Sequence, residues 1–213
     1  MYNAIFWDND GVLVNTEHLF FLANLKVFEN LGFVLSKGDF KEYYLKQNCG
    51  TWHWLTDAGV SVKRIKELKA KRDLIYSDLI KTTDYRVAQA EPVIKMLHRK
   101  KIPMAIVTSS EKVHFTEIHS KTKLLRYFKF VIYGADCVNT KPDPEPYQKA
   151  MYRLGVKPEE CLVIEDSPRG LESAKAAGMK CCIILNDLIE TADCENADFI
   201  VDCISDIPSI IEL

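Results

Sequence analysis

Six short runs of apolar residues recur along the chain and constrain its fold more than any other feature of the sequence. The runs are apolar throughout rather than alternating, which is typical of strands that are covered on both faces. Helical patterns such as "PVIKMLHRK" and "GLESAKAAGM" lie between them. Strands that alternate with helices predict a parallel sheet in an α/β layer fold. The six runs are residues 4–7, 104–107, 130–133, 162–164, 182–185 and 199–201.

One long stretch, residues 16–83, breaks this alternation because it contains no convincing strand. The pattern instead predicts two helices, at residues 16–32 and 62–82, and the first is expected to end near Gly32. We therefore predict a core domain made of residues 1–15 and 84–213, with an all-helical insert at residues 16–83. Ligands of open parallel sheets bind at the carboxyl ends of the strands, where this insert leaves the core, so it could cover the site as a lid.

The composition gives no sign of a nucleic-acid or membrane partner. The 213 residues carry a formal net charge of −2, and no run of about 18 apolar residues predicts a membrane span. The basic residues between Lys63 and Arg72 fall on several sides of the predicted helix. Glu67, Asp73 and Asp78 are interleaved with them, which favours a solvated helix face over a nucleic-acid site. Seven cysteines without a CxxC pair favour reduced thiols. We expect a cytoplasmic protein with no signal peptide, and a monomer is compatible with this composition.

Polar residues with reactive side chains follow four of the apolar runs. Because the carboxyl ends of parallel strands meet at one edge of a sheet, we expect these residues to form a single site. They are Asp8 and Asp10 after the first run, Thr108, Ser109 and Ser110 after the second, Lys141 beyond the third, and Glu165 and Asp166 after the fourth.

The chemistry of these side chains is complementary. The four carboxylates are hard oxygen ligands of the kind that Mg²⁺ takes together with water and phosphate. Thr108 and the backbone N–H groups of Ser109 and Ser110 can donate hydrogen bonds to a phosphoryl oxygen. Lys141 supplies a mobile positive charge that suits phosphate. A cation and a lysine would also offset the repulsion between Asp8 and Asp10.

Each segment also has a purely structural interpretation, which the residues alone leave open. The sequence Asp-Asn-Asp-Gly could be a simple turn, and Thr108 to Ser110 could cap the following helix. The segment "KPDPEP" could be a stiff loop with a solvated lysine. Ser167 and Pro168 are typical of a helix start, which is compatible with a metal site beside them.

Four segments together resemble the haloacid dehalogenase superfamily, in its phosphatase and β-phosphoglucomutase branch with a small helical cap. The resemblance covers essentially the whole chain and implies a Rossmann-like core whose parallel sheet has the strand order 5-4-1-2-3. Those segments are "FWDNDGVLVNTE", "IVTSS", "KPDPEPY" and "VIEDSPRGLESAKAAGM".

The resemblance implies a catalytic role for each reactive residue. Asp8 would be the nucleophile that forms an aspartyl-phosphate, and Asp10 would be the general acid and then the general base. Thr108 and the backbone of Ser109 would hold the transferring phosphoryl group. Lys141 would neutralise the charge on Asp8 and on the phosphate.

The resemblance also implies a magnesium site. Its ligands would be a carboxylate oxygen of Asp8, the backbone carbonyl of Asp10, and Asp166. Glu165 would be an additional ligand or would lie just behind the ligands.

The expected function is therefore Mg²⁺-dependent hydrolysis of a small phosphorylated metabolite, with a sugar phosphate as the favoured class. A phosphomutase of the β-phosphoglucomutase type is the alternative. Glu111 argues against a mutase, because the β-phosphoglucomutase relatives carry at this position a lysine that binds a second phosphate. Asn15, where many relatives have aspartate, is expected to be structural or to lie near the hinge of the insert, with no loss of activity. A phospho-accepting signalling domain is disfavoured, because Asp10 suits turnover and such domains lack a cap.

The insert is expected to set substrate choice through the segment "KQNCGTWHWLTDAG". Its residues 50–54 could form a loop with an aromatic wall facing the substrate, or Trp52 and Trp54 could pack inside the insert. The histidines outside this segment, His18, His98, His114 and His119, are predicted to be surface or helix residues rather than ligands.

Overall fold

The computed structural model of the protein describes residues 2–211, and the chain divides into two compact units. The core unit joins the residues up to Asn15 with those from Arg86 onward. The insert unit is Thr16–Tyr85. The division falls where the alternation of strands and helices is interrupted in the sequence.

The core unit is built on a six-stranded sheet in which every neighbouring pair of strands is parallel. The strand order is β3-β2-β1-β4-β5-β6, which confirms the predicted order of five strands and adds β6 beside β5. The strands are β1 (Ala4–Trp7), β2 (Met104–Thr108), β3 (Val131–Tyr133), β4 (Cys161–Glu165), β5 (Lys180–Ile184) and β6 (Phe199–Val201).

The central strands explain why the apolar runs do not alternate. Every residue of β1, β2 and β4 is buried, so both faces of the middle of the sheet are covered. Two of these strands run one residue further than their apolar runs, to Thr108 and Glu165. Backbone pairing carries these polar side chains into the interior at the edge where a site is expected.

Helices pack around the sheet and form the insert unit. Within residues 2–211 none of them combines the length and apolar character that crossing a membrane requires. The α-helices are α1 (Glu17–Glu29), α2 (Lys37–Phe40), α3 (Trp52–Asp57), α4 (Val62–Thr82), α5 (Ala90–Arg99), α6 (Lys112–His119), α7 (Glu145–Leu154), α8 (Pro168–Ala176) and α9 (Ile207–Ile211).

The insert unit, all of which is described, contains no strand. Helix α4 has the predicted bounds, and α1 ends three residues before Gly32, whose φ of +78° suits glycine. A π-helical segment, Lys41–Lys46, continues directly from α2. A cluster that includes Phe28, Leu55 and Leu68 forms the apolar core of this unit.

Candidate active site

The turn after β1 places Asp8 and Asp10 at the carboxyl edge of the sheet. The N–H of Asp8 donates to the carbonyl of Ile164 on β4 at 2.9 Å, which continues the pairing of the two strands. The chain then turns, and Gly11 has a φ of +79°. A Cβ at Gly11 would overlap the carboxylate of Asp166, so both the backbone conformation and the close approach require glycine here.

Lys141 lies at the centre of the buried charges. Its Nζ donates to Asp8 Oδ1 at 2.6 Å, to Glu165 Oε1 at 2.6 Å and to the carbonyl of Val107 at 2.8 Å. Burial lowers the pKa of Lys141, but the two carboxylates outweigh burial and raise it, so the amine stays protonated. Burial raises the pKa of Asp8 to about 7 against the opposing effect of Lys141.

The loop that carries Lys141 is held by a side chain of the next helix. Both carboxylate oxygens of Glu145, on α7, accept backbone N–H groups, from Val138 at 2.9 Å and from Asn139 at 2.8 Å. A hydrogen bond from Lys149, together with these backbone bonds, lowers the pKa of Glu145 to about 2. The "KPDPEP" segment is therefore a fixed loop, and its lysine is buried rather than solvated.

Glu165 is fully engaged by donors from its surroundings. Its Oε1 accepts from Lys141 and, at 2.7 Å, from the hydroxyl of Tyr147. Its Oε2 accepts from the N–H of Asp166 and from the hydroxyl of Ser167, both at 3.1 Å. Since a carboxylate has about four acceptor positions, these donors occupy all of them.

Two residues that support Glu165 were not identified from the sequence. Tyr147 lies on α7, and its ring also faces the amine of Lys141 at 4.9 Å. Gly170 lies in the first turn of α8, where a Cβ would overlap the carboxyl group of Glu165. The predicted start of this helix is confirmed, because Ser167 accepts from the N–H of Gly170 at 3.2 Å and Pro168 is its first residue.

A buried group of three carboxylates could hold a metal ion. Ligand oxygens of Asp8, Glu165 and Asp166 all lie within 4.8 Å of one another. Asn186, which directly follows the fifth apolar run, donates from Nδ2 to Asp166 Oδ2 at 3.0 Å. Carboxylate oxygens with a supporting amide fit a hard divalent cation such as Mg²⁺.

The residues after β2 face the same edge of the sheet. The register pairs Trp7, the last residue of β1, with Ile106, so Thr108 and Ser109 lie beyond the end of β1, level with the turn that follows it. The hydroxyl of Thr108 accepts from the N–H of Ser110 at 3.0 Å. The capping alternative is wrong for the helix that follows, since the residue at its N-cap is Glu111 and makes no side-chain capping bond.

Asp10 is joined to a chain of polar groups that leads into α6. Its Oδ2 accepts from the hydroxyl of Ser110 and, at 3.3 Å, from Asn9 Nδ2. Asn9 Oδ1 lies 2.8 Å from His119 Nε2, and His119 Nδ1 lies 2.7 Å from the hydroxyl of Thr122. His119 is a helix residue, as predicted, but it is buried rather than on the surface.

In the insert unit, both tryptophans of the Gly50–Trp54 segment pack against the apolar core of the unit, where Trp52 is buried and Trp54 is partly buried. The ring of Phe28 lies 5.2 Å from that of Trp52 and 6.0 Å from that of Trp54. The hydroxyl of Thr51 lies 3.0 Å from that of Tyr44. Of the two interpretations of this segment, internal packing is the one observed for Trp52, which is buried.

Comparison with known proteins gives one family. Residues 5–184 match the model of the haloacid dehalogenase-like hydrolases. A phosphorylated carbohydrates phosphatase of Thermotoga maritima is 29% identical over 181 residues, which cover 83% of this chain and 82% of that protein.

Solved structures share the fold. A β-phosphoglucomutase from Clostridium difficile has a TM-score of 0.83 at 18% identity, covering 100% of this chain and 96% of the other. CbbY from Rhodobacter sphaeroides in complex with phosphate has a TM-score of 0.79 at 22% identity and covers 95% of each chain.

Proposed function

The chain belongs to the haloacid dehalogenase-like hydrolase family, and we propose that it is a Mg²⁺-dependent phosphatase of small phosphorylated carbohydrates. The observation that carries the proposal is the buried contact of Lys141 with Asp8, beside Glu165 and Asp166. A lysine that shields a carboxylate lets that carboxylate approach a phosphate dianion. A purely structural pair of Lys141 and Asp8 would not need a second and a third acid at the same point.

In the proposed reaction, an oxygen of Asp8 attacks the phosphorus atom of the substrate. The bond from phosphorus to the leaving oxygen breaks, and the carboxyl group of Asp10 gives its proton to that oxygen, so the sugar leaves as an alcohol. Water then attacks the phosphorus of the aspartyl-phosphate and gives a proton to Asp10. The bond between Asp8 and phosphorus breaks, and inorganic phosphate leaves with Asp8 regenerated.

The other residues bind and neutralise the phosphoryl group. The hydroxyl of Thr108 and the N–H of Ser109 donate to its oxygens, and Lys141 offsets the charge that builds up on them. Phosphoryl transfer depends chiefly on positioning and charge, which such fixed donors supply.

The metal would be held by Asp8, the backbone carbonyl of Asp10, and Asp166. When bound, Mg²⁺ supplies positive charge that offsets the charge of the phosphate and of the carboxylates. We assign Glu165 to orienting Lys141 and the chain at Asp166, because its acceptor positions are already occupied.

The proposed substrate class has two sources of support. The relative from Thermotoga maritima is a phosphatase of phosphorylated carbohydrates. A solved structure of a CbbY variant from Rhodobacter sphaeroides, which shares the fold, contains xylulose 1,5-bisphosphate. Glu111 favours hydrolysis over mutase chemistry, because an acid directly after Ser110 repels a second phosphate. We further propose that the insert unit determines which sugar phosphate is accepted.

The test is phosphate release from a panel of phosphorylated metabolites, with Mg²⁺ and with a chelator, and with the Asp8→Asn variant as the control. Release that needs both Mg²⁺ and Asp8 would support the proposal and identify the substrate. The panel includes β-glucose 1-phosphate with a bisphosphate primer. Its conversion to the 6-phosphate without phosphate release would favour the mutase instead.

A further inference from the structure

His119 is a buried histidine that the proposed reaction does not use. It is the last residue of α6, and both of its ring nitrogens have polar neighbours at hydrogen-bond distance. Nε2 meets Asn9, which stands between the two aspartates of the β1 turn, and Nδ1 meets Thr122. An imidazole bonded at both nitrogens is held in one orientation.

The direction of these hydrogen bonds follows from the carboxylate at their end. Asn9 uses its amide N–H to donate to Asp10, so its carbonyl oxygen faces His119 as an acceptor. Nε2 of His119 must then carry the proton and donate it to Asn9. Nδ1 in turn accepts from the hydroxyl of Thr122, which leaves the imidazole neutral. Burial, which lowers the pKa of His119 to about 4, agrees with this state.

These bonds determine how the carboxylate of Asp10 is presented. Its Oδ2 receives two donors, the amide of Asn9 and the hydroxyl of Ser110. The side-chain amide of Asn9 keeps its Nδ2 towards Asp10 only while its Oδ1 accepts a hydrogen bond on the other side. His119 Nε2 is the donor of that bond. Asn9 is completely buried, so water cannot take the place of His119.

We propose that His119 is a positioning residue, which orients Asp10 for proton transfer to the leaving group through Asn9. This inference rests on the proposed function, in which Asp10 is the general acid. His119 lies outside the four sequence segments that carry the family resemblance. Its polar neighbours are Asn9 and Thr122, and neither of their side chains is a proposed metal ligand.

Leaving-group dependence separates this role from a merely structural one. An alkoxide leaving group, as in a sugar phosphate, needs the proton of Asp10, whereas 4-nitrophenolate leaves without it. The quantity to compare is kcat/KM, because it reports only the steps up to transfer of the phosphoryl group to Asp8. The ratio of kcat/KM for the two substrates in one preparation does not depend on the fraction of enzyme that is folded.

The variants are His119→Leu, which removes the donor, and His119→Gln, whose side-chain amide can reach Asn9 as Nε2 does. Thr116→Ala, on the exposed face of the same helix, is the matched control. For His119→Leu we expect a loss of about 10- to 100-fold in kcat/KM with the best sugar phosphate, and less than about 3-fold with 4-nitrophenyl phosphate. His119→Gln should restore most of the loss, and Thr116→Ala should match the wild type on both substrates.

Equal losses on both substrates, or no recovery in His119→Gln, would overturn the inference and leave His119 a structural residue. The proposed function would survive that result, because the wild type would still release phosphate. If the proposed function were wrong, the wild type would show no Mg²⁺-dependent release of phosphate from either substrate. That result would overturn the inference about His119 as well.

Discussion

Replacing Gly170 with alanine tests how tightly α8 is packed against the buried Glu165. By helix propensity alone, alanine should stabilise a helical position by about 1 kcal/mol relative to glycine. Here the new methyl group would overlap the carboxyl group of Glu165, which is completely buried. Overpacking costs about 1–3 kcal/mol, and each buried donor that loses its acceptor costs about 1–3 kcal/mol more. We therefore expect Gly170→Ala to lower the free energy of unfolding by about 3 kcal/mol.

Gly38 is the matched control, because it is also helical and a Cβ there would lie 3.6 Å from the Ser36 hydroxyl, an ordinary contact. Urea unfolding of Gly170→Ala, Gly38→Ala and the wild type measures the difference, and Gly38→Ala should be as stable as the wild type or slightly more stable. Phosphate release should fall in Gly170→Ala alone, since Glu165 holds Lys141. If Gly170→Ala were as stable and as active as Gly38→Ala, the assigned packing of Glu165 would be refuted.

Three further predictions concern the nucleophile, the metal and acid stability. Asp8→Asn should abolish phosphate release while its urea unfolding midpoint stays close to that of the wild type; a variant that kept full release would exclude Asp8 as the nucleophile. Asn186→Ala should raise the Mg²⁺ concentration for half-maximal activity by about 10-fold or more, because Asp166 loses its supporting amide; an unchanged Mg²⁺ titration would contradict this. The pKa of His119 is about 4 in the folded protein and 6.5 ordinarily. As the pH is lowered from 6.5 to 4, the unfolded chain therefore binds a proton at His119 before the folded protein does, and the free energy of unfolding falls. At about 1.4 kcal/mol per pH unit, the decrease approaches 3 kcal/mol in the wild type, and His119→Gln should not show it. Urea unfolding of the wild type and of His119→Gln at pH 7 and pH 4.5 measures the difference.

The fold could be predicted from the sequence because its central strands are buried on both faces. Uniformly apolar runs then mark the strands directly, and β1 and β6 have the predicted bounds. The ends were less well predicted where polar residues belong to the strand, as at Thr108, Glu165 and the exposed Lys180. The identity of such a residue says little about whether its backbone still pairs with the next strand.

The residues proposed to carry the chemistry were easier to identify than the residues that support them. Asn186 could have been found, because it follows the fifth apolar run just as Asp8 follows the first. His119 lies one residue after Ile118 and four after Phe115, so its place on the buried face of α6 was also readable. Tyr147 carried no such signal. Its contact with Glu165 depends on how α7 packs on the sheet, which the sequence pattern does not determine.

The position of β1 in the middle of the sheet makes the order of synthesis differ from the order of assembly. Ala4 pairs with Cys161, which is synthesised 157 residues later, and the other neighbour of β1 begins at Met104. At about 5–20 residues per second, β1 waits roughly 8–30 s on the ribosome for its second partner. For roughly the first 5–20 s of that time, until β2 has been made, the segment Ala4–Trp7, which is apolar throughout, has no strand to pair with. We therefore expect newly made chains to depend on chaperones that bind short apolar segments, and refolding to be limited by these distant pairings.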